Sequence, residues 1–188
     1  MALRRGFMAE AGRLAAEVRC ELALEPVSPL DPWQLADHLG VRILPLSSYQ
    51  DHAPDACRVL LGPEQSAFSA LVAGVGRRRV IVHNDSHALT RQRANISHEI
   101  AHILLFHEGK TRDGHWHRTY DADQEDEAKW LGGVLLVTDE ACLAACRAGL
   151  SVSIAAANLG VSEDLMRWRR NKSGAVRRVQ RERARRAA

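Results

Sequence analysis

Several absences narrow the field first. The 188 residues include only four cysteines, Cys20, Cys57, Cys142 and Cys146, and no two stand in a CxxC pair. That spacing argues against a disulfide framework and against a zinc ribbon, and free thiols are expected. Cys142 and Cys146 lie one helical turn apart, which suits metal ligands, but small buried hydrophobes on a helix are the simpler expectation. No apolar run reaches the roughly 18 residues that a membrane span requires. The opening stretch "MALRRGFMAEAGRLAAEVR" holds no apolar core of signal-peptide length, so a cytoplasmic protein is expected. There is no internal repeat, and the only biased segment is an arginine-rich end.

What remains is an ordinary soluble composition, 46% apolar and 26% charged. The length suffices for one domain with a hydrophobic core and a small appendage. The net charge of +3 conceals an asymmetry. Residues 167 to 188 hold ten Lys/Arg against one acid, Glu182, so the rest of the chain is net acidic. A basic segment of this kind is a candidate for nucleic-acid contact, although a solvated, frayed end is the commoner outcome.

Periodicity sets the expected fold. Ala11, Leu14, Ala15, Val18 and Leu22 fall at helical spacing. Asp31 can cap a short helix with Pro32 at its first position and Gly40 beyond its end. "VRILPL" alternates like a strand, and "CRVLLG", "FSALVAGV" and "RRVIVHN" read as further short strands. From residue 90 the pattern is helical, over about 90–107, 122–137, 139–148, 151–159 and 162–170, with a polar loop between the first two. The class is α+β and helix-dominated: a small antiparallel sheet beside a central helix, then a C-terminal helical subdomain. The organisation predicted is an N-terminal helix over 1–24, a main domain over 25–148, a helix-turn-helix-like segment over 149–170, and a basic tail over 171–188. The tail is expected to be extended or frayed and dispensable for folding.

The chemistry sits in "ISHEIAHILLFH", residues 96 to 107. His98 and His102 are four apart and share one face of a helix. Two neutral imidazoles so placed can hold one Zn²⁺, and Glu99 beside the first can act as general base. HExxH alone is a short pattern, and two core-edge histidines with a solvated glutamate would look the same. A catalytic zinc needs a third protein ligand. Leu105 and Glu108 stand where a metzincin would have Gly and His, and His107 points nearly opposite to His98 on the helical wheel. A carboxylate from a later helix is left. Glu127 leads a stripe of Leu131, Val134 and Leu135, so the wheel turns it inward and turns Glu125 toward solvent. An acidic N-terminal turn favoured by the helix dipole is the alternative account of these carboxylates.

On these residues the chain resembles the ImmA/IrrE-type zinc metallopeptidases, which are gluzincin-like. Their pattern is a strand ending in Asn, an HExxH helix with a small residue before the second His, and a later helix reading roughly E-A-N-x-F-A-x-E-L-L-M-P. Here these are "RVIVHN" to Asn84, "HEIAH" with Ala101, and "EAKWLGGVLLVT" from Glu127 to Thr138. The likeness covers about residues 25 to 170. It departs at Lys129, Leu131, Gly132 and Thr138, none of them a ligand position. Gly132 and Gly133 weaken the helix and allow two backbones to approach closely. The resemblance also implies Glu127 as third ligand, endopeptidase activity, and a helix-turn-helix transcriptional repressor as protein substrate.

Three further candidates lie between the metal helices: His115, His117 and Tyr120, as donors to the transition-state oxyanion, with ordinary loop residues the equally simple alternative. "RVIVHN" is a candidate edge for strand addition by an extended substrate, the alternative being an internal strand with no free edge. "IAAANLGVSEDLMRWRR" has the spacing of a helix-turn-helix, with Ala156 four residues before Gly160. The alternative function is therefore a DNA- or protein-binding regulatory module with a structural or vestigial zinc site. Structural packing is the favoured role for that segment, because the family's domain ends in two helices with a similar "GVS" turn.

Overall fold

In chain order the elements are α1 (Phe7–Glu21), α2 (Pro32–His38), β1 (Arg42–Pro45), α3 (Pro54–Leu60), β2 (Ala70–Val75), β3 (Arg78–His83), α4 (Leu89–Leu104), β4 (Gly109–Arg112), β5 (His115–Arg118), α5 (Ala122–Leu136), α6 (Asp139–Arg147), α7 (Val152–Leu159), α8 (Glu163–Lys172) and α9 (Ala175–Ala187). The structure is a computed structural model, and it describes residues 3–75, 78–107, 109–112, 115–118 and 120–187. The expected class holds: α+β and helix-dominated, with the HExxH helix α4 packed on the sheet and on α2.

The sheet differs from expectation in one pairing. Its order is β1-β3-β2-β5-β4. The β2–β3, β2–β5 and β4–β5 pairs are antiparallel, but β1 runs parallel to β3, with Arg42 opposite Val80 and Pro45 opposite His83. A parallel pair needs a long crossover, and α3 and β2 supply it. "CRVLLG" is part of that crossover and is helical, not a strand. Pro54 starts the helix with a φ already suited to it, and Asp55 stands in its first turn. These end signals outweigh the β-branched Val59. The stretch taken as a polar loop before α5 carries the β4–β5 hairpin. β3 lies between β1 and β2, so it has no free edge to receive a substrate strand.

Two compact units emerge. One spans Asp31–Gly132; the other joins Arg4–Leu30 to Gly133–Ala188. In the first, Asp31 accepts from Trp33 N and Gly40 follows α2 at φ 67°, as the sequence suggested. Its core gathers Leu35, Val72, Ile81, Ile96, Ile100 and Ala101, all buried. Asn84, fully buried at the end of β3, donates to the carbonyls of Leu60, Gln65 and Phe68 and accepts from Ser86, and so fixes the entry to α4.

In the second unit two buried arginines serve backbone carbonyls. Arg19 donates to Glu25, Ser28 and Leu135, and Arg169 donates to Val137 and to the Asp139 carboxylate. Burial holds both guanidiniums below their usual pKa range, and neighbouring acids oppose that shift. Helix α7 ends at Gly160 in the left-handed region, φ 64°, and Ser162 caps α8 by accepting from Leu165 N. The basic tail is not frayed: it forms α9, which packs on α6 and buries Ala175 and Val179. Two apolar side chains one helical turn apart suffice because α6 offers a face of small residues, and Arg147 of α6 forms a forked pair with Glu182.

Two expectations follow. Val179→Ala removes two buried methyl groups at about 0.8 kcal/mol each, and truncation at Asn171 removes the whole contact. Both lower the melting temperature, the truncation by more, as thermal denaturation will read. The four cysteines are free, with Cys57 and Cys142 buried and Cys20 exposed. Burial pushes the Cys142 thiol up to about 11. Maleimide at neutral pH should therefore label Cys20 in the native protein, and Cys57 and Cys142 only after denaturation, as mass spectrometry will show.

Candidate metal centre

Helix α4 presents His98 and His102 on one face, one turn apart, with rings at 82° and centroids 4.7 Å apart. Their Nε2 atoms are 3.1 Å from each other. From α5, the Glu125 carboxylate completes a triangle: Oε2 lies 3.1 Å from His98 Nε2, and Oε1 lies 3.6 Å from His102 Nε2. The three donor atoms all fall within 4.8 Å of one another. Donors about 2.0–2.2 Å from a tetrahedral zinc stand roughly 3.3–3.6 Å apart. Separations of 3.1–3.6 Å, measured to both carboxylate oxygens, lie close to that edge length, and two imidazoles with one carboxylate are a donor set that zinc accepts. The residues therefore fit the metal that the motif implies.

The carboxylate in the triangle is Glu125, and this corrects the expectation of Glu127 there with Glu125 in solvent. The reason lies in α5 itself. Ala128, Trp130, Leu131 and Val134 through Leu136 are all buried, so the helix is covered on nearly every side and no single apolar stripe defines its inward face. The face toward α4 is set by Gly132. A Cβ there would sit 3.2 Å from His98 N, His98 Cα and Ser97 O, and Ser97 Oγ donates to Gly132 O at 3.0 Å. Glu125 lies seven residues earlier, two turns along the same face, with Ala128 between. Glu127 is also inward, but toward His107: its Oε2 lies 3.5 Å from His107 Nε2. Asp121 caps the start of α5 by accepting from Asp123 N and Gln124 N, which holds the first turn that carries Glu125.

Glu99 is 4% exposed, on α4 beside His98. Lys129, where the resemblance has Asn, is exposed and takes no place in the triangle. Of the three oxyanion candidates, Tyr120 is 83% exposed just ahead of α5, while His115 and His117 belong to β5 with side chains outside the described residues.

The helix-turn-helix-like pair α7–α8 has the expected turn. Met166 and Arg169 of α8 face inward and are buried. Arg167 is paired with Asp164 and Glu163 in the helix's own first turn. The exposed start of α8 is thus acidic, which weighs against its lying on a phosphate backbone.

The Gly132 contact yields an expectation. Gly132→Ala must push the two helix backbones apart by a few tenths of an ångström, although alanine is the better helix former. Zinc affinity, read by chelator competition, should fall while far-UV circular dichroism keeps its helical signal. Gly133→Ala would meet the ring of Trp168 instead, so its effect should appear in stability rather than in zinc affinity.

Comparison with known proteins identifies a family. The model described as IrrE N-terminal-like domain, a peptidase family, matches residues 36–169, which include α4 and α5 entire. No curated protein and no solved structure matches the chain. With most of its length matched and a histidine pair and glutamate converging inside the match, the chain belongs to the IrrE N-terminal-like domain family of peptidases.

Proposed function

We propose that this chain is a zinc-dependent endopeptidase in which His98, His102 and Glu125 hold the metal and Glu99 is the general base. The observation that carries the reading is the convergence of two imidazoles and one carboxylate from two helices, at separations of 3.1 to 3.6 Å. Zinc, when bound, supplies a Lewis acid and brings the pKa of a coordinated water toward about 7. The Glu99 carboxylate takes the proton of the attacking water and hands it to the departing amine. It is buried at the core edge of α4, next to His98 in the chain. His98 and His102 enter as neutral rings with bare Nε2 atoms. Tyr120 remains a candidate donor to the oxyanion, placed one residue before the turn that anchors α5.

The substrate belongs to the same proposal. Family resemblance supports a regulatory protease acting on a helix-turn-helix repressor, and the acidic start of α8 favours protein over DNA as its target.

Two measurements test this. Purified protein should bind one zinc per chain, and Glu125→Ala should lose most of it; full retention in that variant would remove Glu125 from the site. Glu99→Gln should keep its zinc and its melting temperature but cleave a repressor substrate at least about 10²-fold more slowly. Unchanged cleavage by Glu99→Gln would sink the general-base assignment.

A further inference from the structure

His102 has a second contact, on the side of its ring away from the triangle. Its Nδ1 lies 2.7 Å from Nδ1 of His107, with ring centroids 4.8 Å apart and planes at 65°. The other nitrogen of His107, Nε2, faces the Glu127 carboxylate at 3.5 Å. We infer that His107 and Glu127 are positioning residues: a relay that fixes the tautomer and the angle of the His102 ring. The inference rests on the reading of the metal site given above.

The proton inventory allows one arrangement. Two ring nitrogens 2.7 Å apart share one hydrogen, so one donates and the other accepts. A ligating Nε2 must be bare, so neutral His102 carries its proton on Nδ1 and donates it to His107 Nδ1. His107 then accepts at Nδ1 and carries its own proton on Nε2, 3.5 Å from the Glu127 carboxylate, an ion-pair separation longer than a formed hydrogen bond. Each ring is thereby held in one tautomer, and His102 Nε2 is aimed into the corner with His98 and Glu125. A carboxylate behind a histidine ligand raises its basicity as well as orienting it.

The backbone is built for this contact. Helix α4 closes with Phe106 N donating to Ile103 O and His107 N donating to His102 O, both at 3.1 Å, while Phe106 takes φ 53°. That is a Schellman closure, in which the residue two past the C-cap normally packs against the residue three positions inside the helix. Here those two residues are His107 and His102, so the usual apolar contact has become a hydrogen bond between imidazoles. The left-handed position, normally Gly or Asn, is filled by Phe106, 89% exposed. A side chain with a Cβ is disfavoured in that region, yet the turn keeps its geometry.

The test is zinc affinity by competition with a coloured chelator, on the full chain. His107→Leu and His107→Asn are close in size and differ in hydrogen bonding, because Asn Oδ1 can stand where Nδ1 stood and accept from His102. His107→Leu should weaken zinc binding by about 10–100-fold. His107→Asn should recover a clear part of that loss, and Glu127→Gln should show a smaller loss than His107→Leu. Melting curves of the metal-free proteins identify any variant that fails to fold; if His107→Leu does, the comparison passes to His107→Asn against Glu127→Gln in the Asn background, where the relay expects no further loss. Equal affinities in the Leu and Asn variants, or wild-type affinity in both, would overturn the relay. A wild-type protein that takes up no zinc, or a Glu125→Ala variant that binds as tightly, would overturn the metal site instead, so the two failures are distinguishable.

Discussion

The contact between Gly132 and the backbone of His98 is the constraint on which the candidate site depends. A single methyl group at that point would lie 3.2 Å from three backbone atoms. Its absence lets α5 settle on α4 at a distance governed by backbone rather than side chains, and the hydroxyl of Ser97 ties the two together across the gap. Glu125 is carried in by that approach. Its carboxylate can reach both histidines from two turns away only because the helices are already in contact at Gly132. The helix propensity forgone at a mid-helix glycine, roughly 0.5–1 kcal/mol, is offset by what the closeness assembles.

Around that contact, order spreads outward in layers. The carbonyl-rich loops before α4 are gathered by the side chain of Asn84, which fixes where the helix begins. The end of the helix is fixed by the reversal at Phe106, which brings His107 under His102. Between these fixed ends, Ile96, Ile100 and Ala101 are fully buried and leave the helix little freedom to roll. The two histidine rings are thus aimed by a helix that is anchored at both ends and pressed on one side.

How much of this is legible in the sequence depends on how local the cause is. The short helix between Asp31 and Gly40 is legible because its cap, its proline and its terminal glycine are adjacent residues acting on one another. The HExxH pair is legible because four residues make one turn. The parallel pairing of β1 with β3 is not, since it depends on where a crossover of some thirty residues returns. The third carboxylate fails for a related reason. Helical-wheel reasoning presumes one wet side, and α5 has almost none beyond its first turns, so its apolar residues do not say which neighbour lies on which side. The signal that does say so is Gly132, seven residues and two helical turns beyond Glu125. The tail misled in the opposite way. Its arginines suggest a strand of solvated charge, while two small or β-branched residues, Ala175 and Val179, are enough to seat it against a face built of alanines and cysteines.

The hairpin β4–β5 lies in the chain between the donors of α4 and the donor of α5. A cation joining His102 to Glu125 would close that stretch into a ring. Such a cation binds the folded chain and not the unfolded one, so it stabilises by mass action. The entropic cost of bringing the two ends of that stretch together grows only logarithmically with its length. The hairpin could therefore be lengthened or shortened with little change in the cost of bringing His102 and Glu125 together.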